Sequence, residues 1–131
     1  MPGPAQAGLF IYAKDLELVV RFYAGLLGMV RLHSDPEICV LQSPDIQLVI
    51  HLIPPAHAAN ITITVPPTPR EDTALKFFVT VPSLAQARTL AATLSGSVAE
   101  QCWNGPGFRA CNAVDPEGNI LQLREPCPGG G

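Results

Sequence analysis

No apolar run in the sequence approaches the roughly 20 residues of a membrane-spanning helix. Nothing therefore points to a bilayer partner. Charge is also scarce: 15% of the residues are charged, and the net charge is −3. A nucleic-acid binder carries a basic footprint, and this chain has none. Met1–Gly8 lacks the basic start and apolar stretch of a secretory leader. The expected compartment is the cytoplasm. The four cysteines, Cys39, Cys102, Cys111 and Cys127, form no CxxC pair and sit at no zinc-finger spacing from histidine. They read as buried or incidental thiols in a reducing environment. Paired catalytic carboxylates, a glycine-rich phosphate loop ahead of a helix and a serine nucleophile elbow are missing. The "NGPG" glycines precede a strand-like run, so they are no phosphate cradle.

What is present is apolar. Of 131 residues, 47% are hydrophobic, which is rich for a small globular chain and suggests an oligomer interface, an apolar pocket, or both. Met1–Gln6 is rich in Pro, Gly and Ala and is expected to fray, as is the glycine-ended Pro128–Gly131. Between them, "GLFIYA" reads as a strand. A helix follows in "KDLELVVRFYAGLLG", with Asp15 as N-cap, an apolar stripe at helical spacing and Gly28 as its stop. "MVRLH", "EICVLQ" and "IQLVIHLI" are three more strands. A proline-rich linker covers residues 54–73, and its alternating "NITITV" suits an extra edge strand. The plan then recurs. "LKFFVTV" is a strand, "SLAQARTLAATLSG" a helix with Ser83 as N-cap and Gly96 as stop, and "SVAEQCW", "FRACNAV" and "NILQLRE" three strands. Asp15 and Ser83, Gly28 and Gly96, and Val30 and Val98 are each 68 residues apart, so the two halves are repeats.

Two βαβββ units, "KDLELVVRFYAGLLGM" and the closing "DPEGNILQLRE" together resemble the vicinal oxygen chelate superfamily. That group includes glyoxalase I, bleomycin resistance proteins and extradiol dioxygenases. The resemblance implies an α+β domain over residues 7–125, with units at 7–53 and 74–125. Tandem βαβββ units would form one curved mixed sheet, a funnel, with helices on the convex face. Metal-dependent members place one ligand on the first and one on the last strand of each unit. Those positions fall here on Gly8, Gln47, Lys76 and Gln122. Glycine offers no side chain, a protonated lysine has no lone pair, and neutral amides are weak ligands for zinc, nickel or iron. The resemblance therefore implies a metal-free site with no cofactor.

Strand alternation then nominates the pocket wall. Phe10, Tyr12 and Phe78 share parity with Gly8 and Lys76, and are pocket aromatics or core. His51 shares parity with Gln47 and is a base, a ligand or an ordinary strand-end histidine; His33 and His57 fall in loops. Lys76 is an anion contact, an ion-pair partner or a lysine reaching solvent. Trp103 stands before the "NGPG" loop as a lid, a stacking residue or an anchor. Arg109 and Arg124 form salt bridges or bind an anion. Gln47 and Gln122 hydrogen-bond a ligand, water or each other. The expected function is binding of a small, partly apolar or aromatic molecule by a homodimer, for drug or metabolite sequestration. The alternatives are an enzyme of the same superfamily, a lyase, isomerase or dioxygenase with displaced ligands or a metal-free mechanism, and a domain kept only as an interaction partner.

Overall fold

The structure, a computed structural model, describes residues 4–127. The ends expected to be loose, 1–3 and 128–131, lie outside the described residues. The chain divides into two compact units, one up to Thr62 and one from Ile63 onward. Each is built on the expected plan.

The first unit runs β1 (Gly8–Ala13), α1 (Leu16–Leu27), β2 (Val30–Ser34), β3 (Ile38–Gln42), β4 (Gln47–Leu52), with a short α2 (Pro55–Ala58) after it. Its sheet order is β1-β4-β3-β2, with β1 parallel to β4 and the other pairs antiparallel. Asp15 caps α1 by accepting a hydrogen bond from the Leu18 amide at 3.2 Å. Gly28 ends it in the left-handed region, at φ 64°. The apolar stripe Val19, Val20, Phe22, Tyr23 and Leu26 is buried. Leu41, Leu48 and Ile50 on the sheet are fully buried as well. The core thus sits between α1 and one face of the sheet.

The second unit runs β5 (Phe78–Thr80), α3 (Leu84–Thr93), β6 (Ser97–Gly105), β7 (Phe108–Val114) and β8 (Ile120–Pro126), in sheet order β5-β8-β7-β6. Ser83 caps α3 through the Gln86 amide at 3.1 Å. The tight closing turn follows from Asp115, which is fully buried. Its Oδ1 accepts from the amides of Glu117 and Asn119, and its Oδ2 accepts from Asn119 Nδ2 at 2.8 Å. Gly118 completes the turn at φ 90°, where a Cβ would come 2.3 Å from the Thr68 carbonyl oxygen.

Several local expectations fail, each for a local reason. "NITITV" forms no strand. Pro66, Pro67 and Pro69 follow it with no amide to donate, and the Thr64 hydroxyl bonds the Pro66 carbonyl instead. Helix α3 stops on Ser95, not Gly96: Ser95 takes the positive φ of 66°. "NGPG" is not a loop, because Asn104 and Gly105 belong to β6 and only Pro106–Gly107 turns. Cys102 and Cys111 lie symmetrically about that turn. They face each other on β6 and β7, with Cα atoms 4.5 Å apart, and form a disulfide. The free-thiol expectation holds for Cys39 and Cys127 alone. His33 lies on β2, not in a loop, and meets Asp35 at 2.9 Å. That contact, with the Glu37 amide on the same carboxylate, holds Asp35 below its ordinary pKa.

Candidate functional site

Each sheet has one face under its helix and one face away from it. Parity puts most nominated residues on the second kind of face. In the first unit these are Gly8, Phe10 and Tyr12 on β1, beside Gln47, Val49 and His51 on β4. Phe10 and Tyr12 stack with ring centroids 6.5 Å apart and are about three-fifths exposed. Tyr12 also meets the His51 ring at 5.9 Å. His51 Nδ1 lies 2.8 Å from the Leu52 carbonyl oxygen, which assigns that nitrogen the proton. Gln47 is committed sideways, with Nε2 donating to Gln42 Oε1 at 2.9 Å.

The second unit's face carries the charge. Phe78 pairs with Gln122, and Thr80 with Arg124. The Arg124 guanidinium carbon lies 3.6 Å from the Phe78 ring centroid and 4.1 Å from that of Phe108. Those phenylalanines come from strands on opposite sides of β8. Arg124 Nε donates to Gln122 Oε1 at 2.6 Å. Lys76 stands just before β5 and donates from Nζ to Asn112 Oδ1 at 3.2 Å. Trp103 lies on β6 opposite Ala110, which in turn pairs with Arg124. The indole thus stands on a strand, with β7 between it and the arginine. Arg109 pairs with Glu125, at the opposite parity, and does not join Arg124. Phe108 and Asn112 were not nominated. The signal for both was available: they alternate with Ala110 on "FRACNAV", and the turn position sets the register.

A glyoxalase-related enzyme from Fulvimarina pelagi superposes with a TM-score of 0.67 at 19% identity, covering 92% of this chain and 87% of that one. A glyoxalase/bleomycin resistance protein/dioxygenase family enzyme from Burkholderia phytofirmans PsJN gives 0.68 at 12%, covering 92% and 98%. The bleomycin-binding protein of Streptomyces verticillus, complexed with copper(II)-bleomycin, gives 0.56 at 18%, covering 94% and 97%. The chain has the glyoxalase/bleomycin-resistance fold. No protein-family model and no curated protein sequence matches it.

Metal-dependent proteins of this fold need donors on first and last strands, and the residues at those places do not fit a metal. Phe10 and Phe78 are repeat mates, 68 residues apart. Phe10 pairs with Val49 and Phe78 with Gln122. Gln122 therefore corresponds to Val49, and Gln47 corresponds to Ile120. The assignment of Gln47 as the mate of Gln122 is therefore off by two residues, and Val49 takes that place. The corrected pair holds one amide and one isopropyl group. That amide oxygen already accepts from a guanidinium, and Lys76 offers a cation where a ligand would stand. Among the described residues, no group of three or more His, Cys, Asp or Glu could hold a metal ion.

In the second unit a cavity of about 310 Å³ opens among Val65, Pro66, Pro67, Pro69, Ala92, Ser95, Gly96, Ser97 and Val114. No nominated residue lines it. Its side-chain polar groups are two serines, too few to orient a ligand.

Proposed function

We propose that this chain is a metal-free small-molecule-binding protein of the glyoxalase/bleomycin-resistance type, acting in drug or metabolite sequestration. The observation that carries the proposal is the second unit's sheet face. There Gln122 holds Arg124 between two aromatic rings, where a metal site of this fold would need anionic or imidazole donors. Fixed polar groups set among apolar side chains are what a ligand site requires. Phe10, Tyr12, Gln47 and His51 on the first unit supply a second apolar face with its own polar groups, and Trp103, Lys76 and Phe78 complete the set. The binding domain spans residues 7–125.

The Streptomyces relative of this fold is a bleomycin-binding protein, which supports sequestration by analogy of fold. The competing reading is an enzyme, favoured by His51, whose Nε2 carries no hydrogen bond among the described residues and is free to accept a proton. A homodimer is supported by β2, an edge strand with exposed Val30 and Leu32. In the cytoplasm the Cys102–Cys111 bond meets a reducing pool, so its oxidised fraction in cells tests that location.

The test of binding is native mass spectrometry of purified protein, with elemental analysis of the same sample. A retained organic ligand and less than about one-tenth of a divalent metal per chain is the expected result. Stoichiometric zinc, iron, nickel or manganese would sink the metal-free reading. Gln122→Leu should weaken the retained ligand by roughly 1–3 kcal/mol, the cost of an unpaired polar group. A lowered melting point with unchanged affinity would make Gln122 a structural amide.

A further inference from the structure

We infer that Cys102–Cys111 is a reversible redox site, opened by a partner that carries two thiols, with Cys102 as the sulfur attacked and Arg88 on α3 holding the thiolate that leaves from Cys111. Such a site stands whether or not the chain binds a small molecule.

The arginine sets this bond apart from a plain brace. Its Nη2 donates to the Ala99 carbonyl oxygen at 2.8 Å and lies 3.6 Å from both Cys102 Sγ and Cys111 Sγ. Sulfur is a weak acceptor. Nε of the same guanidinium is buried and has no hydrogen-bond partner among the described residues. None of Arg88's bonds among those residues goes to a carboxylate. A half-buried cation thus faces two sulfurs that cannot answer its charge while they are joined. Burying a donor unmet is costly, and redox sites are one place where that cost is met. Reduction supplies the counter-charge, because a neighbouring guanidinium favours the thiolate over the thiol.

The two cysteines differ in access. Cys111 is fully buried, whereas Cys102 is half-buried. Beside Cys102 the pairing of β6 with β7 slips. Val98 faces Ala113 and Cys102 faces Cys111, so Ala99, Glu100 and Gln101 stand against Asn112 alone. All three are exposed. A bulge of this kind interrupts the ladder and re-aims the side chains next to it. An incoming thiol therefore meets Cys102, and Cys111 is the leaving group. A thiolate that leaves beside a guanidinium leaves faster than one expelled into an apolar core.

The step balances as follows. A thiolate of the partner attacks Cys102 Sγ and forms a mixed disulfide. The Cys102–Cys111 bond breaks, and its electron pair leaves with Cys111 Sγ, facing Arg88. The partner's second thiolate then attacks its own sulfur in the mixed disulfide and releases Cys102 as a thiolate. The partner is oxidised by two electrons to a disulfide, the chain is reduced by two, and the partner's two protons are available to the two cysteines. Two thiols are needed because strand pairing keeps Cys111 opposite Cys102. There it re-attacks the mixed disulfide and expels a single thiol, whereas a second thiol on the partner closes a ring and competes.

The test is the rate at which the folded full chain is reduced at pH 7 by dithiothreitol, a small dithiol, and by thioredoxin, a protein dithiol. Alkylation and mass spectrometry of the peptides that carry Cys102 and Cys111 give the rate free of Cys39 and Cys127. Reduction by either partner is expected, and reduction by neither overturns the inference. Arg88→Met should slow reduction at least about fivefold, as the loss of a charge-assisted contact to the leaving thiolate implies. Arg88→Lys keeps the charge and should stay within about twofold of the parent. A purely structural arginine predicts the opposite, since its loss loosens the hairpin and speeds reduction. An unchanged or faster rate in Arg88→Met, or a lysine variant as slow as the methionine one, therefore overturns the inference. Single-cysteine variants test the polarity even if the Arg88 variants do not fold. In Cys111→Ser, Cys102 should react with a disulfide reagent, 5,5′-dithiobis(2-nitrobenzoate), at least about tenfold faster than Cys111 does in Cys102→Ser. Equal rates, or a faster Cys111, would overturn the assignment of Cys102 as the sulfur attacked.

Discussion

The two units share a plan but not a means of holding it together. Residues 68 apart on the helices make the contrast. Val19, Phe22 and Tyr23 on α1 correspond to Ala87, Leu90 and Ala91 on α3. All three α1 residues are fully buried, and Phe22 meets Tyr23 edge to face at 5.1 Å. On α3, Ala87 and Ala91 are buried but small, and Leu90 is 39% exposed. The first unit is held by large apolar side chains under its helix. The second, with little to bury there, adds a cross-strand disulfide and a carboxylate-tied turn. Its outer face carries Lys76 and Arg124, each bonded to a neutral amide.

Phe22→Ala should break the first unit's core, costing about 3–5 kcal/mol as buried aromatic truncations do. Its mate Leu90→Ala should cost well under about 1.5 kcal/mol, since part of that side chain already meets water. Urea melts of the two variants decide this. Equal losses would mean that the helices contribute equally and that the contrast is only one of residue size.

The second unit's disulfide should act the opposite way. Closing a loop of nine residues removes denatured-state freedom worth about 2–3 kcal/mol. Cys102→Ala with Cys111→Ala should lower stability by that order. Hydrogen exchange should place the loss on β6, β7 and β8, with α1 and β1 protected as before. A loss spread over both units would show that they unfold as one.

Most of this architecture is legible in the sequence. The caps at Asp15 and Ser83, the left-handed Gly28 and the strand alternation are local signals, and they appear where chain chemistry demands them. What was not legible depends on register. The sequence shows that Cys102 and Cys111 are nine residues apart but not that Pro106–Gly107 is the whole turn, so the facing pair stays hidden. The same holds for the candidate site. Parity puts Phe10, Tyr12 and Phe78 on the sheet faces away from the helices, yet the neighbours Phe108 and Asn112 and the mate of Gln122 depend on strand register. The alternating "NITITV" misled because alternation marks a strand only where its amides can pair, and prolines follow it.

The turns before the last strands extend the comparison to a smaller effect. In the second unit Asp115 accepts three hydrogen bonds while fully buried. In the first unit Ser43 holds the same place with a hydroxyl that accepts longer bonds, 3.3 Å each, from the Asp45 and Ile46 amides. Asp115→Ala should cost about 1–3 kcal/mol, because it strands buried donors. Ser43→Ala should cost about 1 kcal/mol or less. Thermal melts of the pair test the ranking. A larger loss at Ser43 would reverse the claim that the second unit depends more on its turn.

The smallest effect belongs to the first unit alone and concerns pH. Arg31 on β2 grips Glu17 on α1 with both terminal nitrogens, at 2.9 and 3.2 Å. That hydrogen bonding holds the Glu17 carboxyl below its ordinary value and pushes Arg31 above its own. A depressed carboxylate contributes stability above its unfolded pKa and loses it as pH falls through the folded value. The raised Arg31 value adds nothing to titrate until strongly alkaline pH. Both side chains are more than one-third exposed, so solvent screening limits the pair to a few tenths of a kcal/mol. Glu17→Gln should therefore be slightly less stable than the parent at pH 7. The gap should close as pH falls below the carboxylate range, and it should also shrink in molar salt. Paired urea melts at pH 7 and pH 3 measure it. A gap that persists at pH 3 would mean that Glu17 acts through its first-turn position on α1, by hydrogen bonding or packing, and not through its charge on Arg31.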